Sequence, residues 1–200
     1  RAHVCVCMCA CVYVCVCVCA RAHACATVLG AQQPWCGGCP RGPGVAAGPG
    51  SLLFFAANDF HNVQNVGGTP ATYFVFNFAT AATRGVPKEG ASALAVPGKL
   101  VSRVFDWQKL EAKPTKAGER RAVVDSPTTT LANFECHVTT LQAGVAAHAA
   151  HRHPDEEIIL VKEGTLEVMI NGVTTRAGAG SSLFYGSNDE HGMRTVGDTT

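Results

Sequence analysis

Apolar and polar residues alternate with a period of two through most of the C-terminal third of the chain. The stretches "LANFECHVTTLQAG" and "EEIILVKEGTLEVMING" combine this alternation with β-branched and aromatic residues, which predicts strands. Within the second stretch Leu166, Val168 and Ile170 fall on one face of a strand, and the residues between them fall on the other. The pattern predicts a sheet with one face turned to a core and one to solvent.

Glycine-rich turns punctuate these strands. A tight turn is predicted at Glu163-Gly164, and Asn171-Gly172 is a favoured type I′ hairpin pair that leads into "VTTRAG". Only "DWQKLEAK", near Asp106, predicts a brief helix. Many short strands without helical spacing predict an all-β fold of the sandwich or barrel kind.

An internal repeat appears when the chain is compared with itself at a shift of 130 residues. "GPGSLLFFAANDFHNVQNVGGT", ending at Thr69, aligns with "GAGSSLFYGSNDEHGMRTVGDT", ending at Thr199, and between residues 42 and 69 of the first copy 13 of 28 positions are identical. The first copy continues into "PATYFVFNF", a predicted closing strand, whereas the sequence ends before the second copy reaches its equivalent. We interpret the chain as a fragment of a protein with two related domains.

The repeat suggests a domain organisation. We expect the C-terminal part of a first domain at residues 41–80, a linker at 81–101, and a second domain, lacking its last strand, at 102–200. Residues 1–40 contain 10 of the 11 cysteines, and the alternating "VCVCMCACVYVCVCVCA" is what a repeated GT dinucleotide tract would encode. We expect this segment to be low-complexity sequence without a fold of its own, with a signal or anchor segment as the alternative.

Two further cysteine features carry little chemistry. "PWCGGCP" resembles a redox dithiol motif, but "RGPGVAAGPG" after it cannot form the helix that such a site needs. Cys136, in an apolar alternating stretch, is interpreted as a small buried hydrophobe. The formal net charge is +1, and neither half of the chain has the basic surplus that nucleic-acid binding requires.

The candidate chemistry lies in "HRHPDEE", residues 151–157. His151, His153 and Glu157 have the same parity, so on an extended strand their side chains would leave one face together, and His191 on a separate strand could supply a fourth ligand. Three imidazole nitrogens and one carboxylate oxygen suit Mn²⁺, Fe²⁺, Ni²⁺ or Zn²⁺. His148 has the opposite parity and is expected at the surface or behind the ligands.

These residues resemble the cupin family. "HRHPDEEIILVKEG" has the pattern H-x-H-x3-E-x6-G of its first motif, and "GSSLFYGSNDEH" is similar to its second, G-x5-P-x-G-x2-H, with Gly186 in place of the proline and Asn188 in place of the second glycine. His191 stands where the last histidine ligand does, while Thr195 replaces the motif's final asparagine. The resemblance implies a double-stranded β-helix, or jelly-roll barrel, holding one divalent metal ion, within a bicupin.

Two classes of function follow. The first is a metal-dependent enzyme that acts on a small organic acid or related polar metabolite by dioxygenation, decarboxylation, isomerisation or hydrolysis; no catalytic acid or base is identified. The second is a non-catalytic barrel that stores protein, binds sugar or senses a ligand, and the fragment by itself could also be inactive. The expected partner is a small molecule and neither nucleic acid nor a membrane; exposed sheet edges allow a homo-oligomer. His61, which matches His191, is interpreted as a relic of an incomplete site.

Overall fold

The structure is a computed structural model that describes residues 14–19, 26–30, 45–59, 61–81, 83–84 and 96–197. Within this part every regular element is a strand, except for one 3₁₀ turn at Trp107–Lys109. Asp106 caps that turn by accepting a hydrogen bond from the backbone N–H of Gln108 at 3.1 Å, so the brief helix predicted near Asp106 is confirmed as a single turn. Among the described residues there is no helix with the length and hydropathy needed to span a membrane.

The described residues form fifteen strands. In chain order they are β1 Val14–Cys19, β2 Ala26–Gly30, β3 Val45–Ala47, β4 Leu52–Phe55, β5 His61–Asn65, β6 Tyr73–Phe78, β7 Arg103–Phe105, β8 Lys113–Thr115, β9 Gly118–Ser126, β10 Phe134–Leu141, β11 Glu157–Leu160, β12 Thr165–Ile170, β13 Val173–Gly178, β14 Ser182–Tyr185 and β15 His191–Thr195.

Contacts divide the chain into two compact units. The first contains residues 1–110 and 123–136, and the second contains 111–122 and 137–200. The division does not fall at the boundary expected from the sequence near residue 101, because β9 and β10 each contribute residues to both units. Leu100, expected at the end of a linker, is buried in the core of the first unit.

The second unit is built from short antiparallel sheets. β11 pairs with β14, and β12 lies between β13 and β15. Its core contains five buried residues, namely Val161, Val168, Ala177, Leu183 and Tyr185. Leu166 and Ile170 pack against this cluster, so the face predicted for the middle strand is confirmed. The predicted type I′ turn is confirmed as well, since Asn171 and Gly172 have φ angles of +48° and +82°.

The first unit contains a four-stranded sheet in the order β6-β1-β4-β7 and a three-stranded sheet in the order β3-β2-β5. Strand β4 is buried along its whole length, and Phe54 packs in the core with Phe134 at 5.7 Å between ring centroids. Cys136 was expected to be buried; it is partly buried and packs against the same core, and burial raises the pKa of its thiol to about 11, so the thiol stays protonated at neutral pH.

Strand pairing repeats between the two units. β1 pairs with β4 as β11 pairs with β14, and β2 pairs with β3 and β5 as β12 pairs with β13 and β15. The backbone repeats too: Gly50 and Gly180 have φ angles of +82° and +85°, and Asn58 and Asn188 both have +64°. The duplication seen in the sequence is therefore also a duplication of strand topology.

Two segments of the N-terminal 40 residues take part in this repeat. β1 and β2 lie within the low-complexity region for which we expected no fold, so the structure differs from that expectation at residues 14–19 and 26–30. The alternation of valine and cysteine has the period of a strand, which explains how such a sequence can pair at a sheet. The remainder of residues 1–40, including "PWCGGCP", lies outside the described residues.

Candidate metal centre

The four side chains singled out by the sequence lie together in the second unit. His151, His153 and His191 offer nitrogen atoms that all lie within 4.8 Å of one another. The carboxylate of Glu157 joins them, with its Oε2 3.4 Å from Nε2 of His191 and 3.7 Å from Nε2 of His153. The three imidazoles therefore gather in one place, and the carboxylate lies beside two of them.

Backbone hydrogen bonds hold the two histidine-bearing segments against each other. His151 and His191 exchange N–H···O bonds of 3.0 Å each, forming an isolated antiparallel bridge. The N–H of Asn188 donates to the carbonyl of His153 at 2.8 Å. The rings are placed by these contacts and not by one continuous strand. The single extended strand assumed for residues 151–157 is wrong, because strand β11 begins only at Glu157 and a bend precedes it.

Two of the three imidazoles have a fixed tautomer. His191 donates from Nδ1 to the carbonyl of Asp189 at 2.9 Å, and His153 donates from Nδ1 to the carbonyl of Asp155 at 2.9 Å. Because a carbonyl oxygen can only accept, Nδ1 carries a proton, and in the neutral ring Nε2 then carries a lone pair. A backbone carbonyl behind the ring is the usual support for a histidine that binds a metal through its other nitrogen.

The environment of His191 tests whether a cation fits. The residue is 2% exposed, and its Nε2 is buried without a hydrogen-bond partner in the described part of the chain. Leaving a buried acceptor unsatisfied costs about 1–3 kcal/mol. The Oε2 of Glu157 lies 3.4 Å from this nitrogen and is an acceptor as well when ionised. A cation between these two atoms would satisfy both, so the donor set fits a divalent metal ion.

Neighbouring groups adjust the proton affinities in the site. Partial desolvation and the nearby rings of His148, His191 and His153 lower the pKa of His151, which favours the neutral form that binds metal. Burial, with a smaller contribution from Glu157, raises the pKa of Tyr185 to about 12, so its phenol stays protonated at neutral pH.

The turn before His191 departs from the cupin motif in a consistent way. Gly186, at the proline position, donates its backbone N–H to Oδ2 of Asp189 at 2.9 Å, a bond that proline could not make. Asn188, at the glycine position, has a φ angle of +64°, and asparagine accepts this left-handed conformation better than other residues with a side chain. The interpretation of Asn188 and Asp189 as turn formers agrees with this geometry.

Sequence reasoning missed the groups that support the ligands. Nδ2 of Asn171 donates to Oδ1 of Asp189 at 2.7 Å, and its Oδ1 accepts from the N–H of Glu190 at 2.9 Å. Asn171 thereby ties the β12–β13 turn to the segment that carries His191. The tyrosine ring of Tyr185 stacks on His191 with centroids 4.3 Å apart and planes 11° apart. The internal repeat aligns Asn58 with Asn188, which indicates the turn but gives no sign of the contacts made by Asn171 and Tyr185.

Histidines outside the cluster are placed as follows. His148 is exposed, as expected, and its ring meets His151 edge-on at 4.3 Å. His61 of the first unit reproduces the setting of His191, because its Nδ1 contacts the carbonyl of Asp59 at 2.8 Å and its ring stacks on Phe55 at 4.0 Å. Among the described residues, no second group of three potential metal ligands gathers around His61.

Comparisons with known proteins agree with this fold. Residues 137–200 match the Cupin domain family, and this segment includes the whole histidine and glutamate cluster. The sequence matches no curated protein. The family match is thus to a cupin domain at residues 137–200, and the structure has the all-β cupin fold.

Solved cupin-fold structures similar to this chain share little sequence with it. YlbA from E. coli is 14% identical with a TM-score of 0.61, covering 92% of this chain and 64% of its own. A mutant of oxalate decarboxylase OxdC from Bacillus subtilis is 17% identical with a TM-score of 0.62, covering 94% and 61%. A mutant of salicylate 1,2-dioxygenase from Pseudoaminobacter salicylatoxidans is 14% identical with a TM-score of 0.59, covering 92% and 62%. The chain thus spans less than two thirds of each.

Proposed function

We propose that His151, His153, Glu157 and His191 bind one divalent metal ion and that the site serves an enzyme acting on a small organic acid. The observation that carries the proposal is the buried Nε2 of His191, which has no hydrogen-bond partner among the described residues and lies 3.4 Å from a carboxylate oxygen of Glu157. Mn²⁺, Fe²⁺, Ni²⁺ and Zn²⁺ all accept this donor set.

Each residue has a defined task in this proposal. The Asp189 and Asp155 carbonyls contact Nδ1 of His191 and His153, which would leave both Nε2 atoms available to the ion. Glu157 adds one negative charge, which would leave a net positive charge at a divalent site. When bound, the ion would supply Lewis acidity toward the oxygen atoms of an acid.

The choice of a small organic acid rests partly on the similar structures, whose names include oxalate decarboxylase and salicylate 1,2-dioxygenase. At 14–17% identity they share the fold, while cupin folds carry many reactions. Dioxygenation, decarboxylation, isomerisation and hydrolysis therefore remain the candidate reaction types. We expect neither nucleic acid nor a membrane as a partner, and a homo-oligomer through exposed sheet edges is part of the proposal.

We also propose that the chain is part of a bicupin. The repeated pairing of β1 to β5 and β11 to β15 supports a first cupin domain that includes residues 41–80 and a second within residues 102–200, with 81–101 between them. In this organisation His61 keeps the ring position of His191, and the described residues of the first unit offer it no companion ligands, so we expect metal in the second unit.

The experiment measures bound metal first and turnover second. Wild type, His153→Ala and His148→Ala are loaded with Mn²⁺, Fe²⁺, Ni²⁺ or Zn²⁺ and dialysed, and oxygen uptake and carbon dioxide release are then followed with oxalate and salicylate. We expect one equivalent of metal in wild type and in His148→Ala, whose exposed ring lies outside the ligand set, and none in His153→Ala. Equal metal content in His153→Ala would refute the ligand assignment. Metal binding without turnover of any acid in a wider panel would favour the non-catalytic barrel.

A further inference from the structure

Tyr185 has a buried hydroxyl that no described part of the protein satisfies. The residue is 0% exposed, and its hydroxyl oxygen makes no hydrogen bond within the described residues. Buried phenol groups usually find a hydrogen-bond partner, because an unsatisfied one loses the bonds that it had in water. The missing partner is therefore expected to come from a molecule that enters the barrel.

The position of Tyr185 places that partner at the metal centre. Tyr185 is directly opposite Glu157 in the β11–β14 pairing, and residues directly opposite on paired strands project from the same face. Its ring lies flat against His191 at 4.3 Å. Phe184, the preceding residue, projects to the other side and is 58% exposed. The hydroxyl consequently belongs to the interior that Glu157 and His191 also face.

The internal repeat separates the role of the ring from the role of the hydroxyl. In the first unit Phe55 occupies the equivalent position and stacks on His61 at 4.0 Å with an angle of 13°. This stack nearly matches the one between Tyr185 and His191, and it forms without a hydroxyl. The ring is thus sufficient to pack against the histidine, and the oxygen is present only in the unit that has the four-residue cluster.

We propose that the hydroxyl of Tyr185 donates a hydrogen bond to a carboxylate oxygen of the acid that binds beside the cluster, which makes Tyr185 a substrate-binding residue. This inference rests on the proposed function. Glu157 already places one negative charge at the cluster. A second carboxylate at position 185 would repel an anionic ligand, whereas the neutral phenol can donate a hydrogen bond to it. The phenol offers one donor in a fixed direction, since stacking on His191 restricts the ring.

The test uses Tyr185→Phe, the side chain that the first unit carries at the matching position. Wild type and variant are loaded with Zn²⁺, which has no redox chemistry, and their metal content is measured before oxalate and salicylate are titrated in by calorimetry. We expect equal metal content and binding of at least one acid that is weaker in the variant by about tenfold or more, the range for a hydrogen bond to a charged acceptor. Without acid, the variant should unfold at the same denaturant concentration as wild type or at a higher one.

The outcomes separate this inference from the proposal beneath it. If both proteins hold one Zn²⁺ and bind the acids equally, the metal site stands and the assignment of Tyr185 is overturned, with water as the partner of its hydroxyl. If metal-loaded wild type binds neither acid, the assignment is likewise overturned. Lower stability of acid-free Tyr185→Phe would show an internal partner and overturn it as well. If wild type takes up no Zn²⁺, the proposed function fails and this inference fails with it.

Discussion

Asn171 offers a quantitative test of how the turn beside the cluster is held together. Replacement by glycine keeps the left-handed conformation at φ +48° but removes the two side-chain hydrogen bonds, of 2.7 Å to Asp189 and 2.9 Å from Glu190. A net contribution of about 0.5–1.5 kcal/mol for each bond, taken toward the lower end because Asn171 is exposed, gives a loss of about 1–2 kcal/mol. The account thus predicts a measurable destabilisation from an exposed residue.

A matched variant controls for the effect that a new glycine has on the backbone. Asn188→Gly makes the same chemical change at φ +64°, where the side chain makes one hydrogen bond within the described residues, to the exposed Ser187 hydroxyl at 3.1 Å. Urea unfolding of both variants should place Asn188→Gly within about 0.5 kcal/mol of wild type and Asn171→Gly about 1–2 kcal/mol below it. The comparison isolates the hydrogen bonds because both variants gain the same freedom in the unfolded chain.

The carboxylate of Asp189 gives a second readout. The hydrogen bond from Asn171, followed by that from Gly186, lowers the pKa of Asp189. A lowered carboxyl pKa contributes stability above the unfolded pKa, near 3.9, and that stability is lost as the pH falls through the folded value. The stability gap between wild type and Asn171→Gly should therefore narrow in acid, and NMR titration should show a higher pKa for Asp189 in the variant. Equal stability of Asn171→Gly and Asn188→Gly at neutral pH would refute the reasoning.

Three further predictions concern the same unit. Metal affinity should fall as the pH drops through about 6.5, because protonated imidazole cannot bind metal. His151, whose pKa is lowered, should become protonated at a lower pH than an ordinary histidine. Metal titrations at several pH values check this, and an affinity that does not change with pH would contradict histidine ligation. Gly186→Pro restores the proline of the cupin motif but should lower the free energy of unfolding by about 1 kcal/mol, because it removes the N–H that donates to Asp189 at 2.9 Å. A variant that is more stable than wild type in urea unfolding would show that this hydrogen bond is unimportant. Val168→Ala, at a residue that is 0% exposed, should lower the free energy of unfolding by about 2–3 kcal/mol in the same assay. Val173→Ala, at a residue that is 70% exposed, should lower it far less.

The sequence predicted the composition of the cluster better than its construction. The spacing of the motif and the distant His191 singled out three histidines whose ligand nitrogens lie within 4.8 Å of one another, and a carboxylate, Glu157, that lies near two of them. Strand parity grouped these residues by assuming one extended strand. In the structure, reciprocal backbone hydrogen bonds between His151 and His191 hold the two segments together instead. Pairing between residues 40 positions apart leaves no local pattern, so it could not be predicted from a single sequence.

The role of Tyr185 and the first two strands were missed for different physical reasons. A tyrosine in an alternating strand has the pattern of an ordinary core residue, and only the structure shows that its hydroxyl lacks a partner beside His191. β1 and β2 lie in sequence that we interpreted as a translated dinucleotide repeat, and that interpretation gave no information on whether the segment could pair with other strands. The hairpin at Asn171-Gly172 was predicted because both residues must adopt positive φ there, which few other pairs do.

The central claim is tested most directly by a crystal structure of the Zn²⁺-loaded protein, with the ion located by its anomalous scattering. The account predicts one ion in the second unit, with Nε2 of His153 and His191 and a nitrogen of His151 at about 2.0–2.1 Å and an oxygen of Glu157 at about 2.0–2.2 Å. An ion bound elsewhere, or one that contacts His151 and His153 while the Nε2 of His191 stays beyond bonding range, would contradict it.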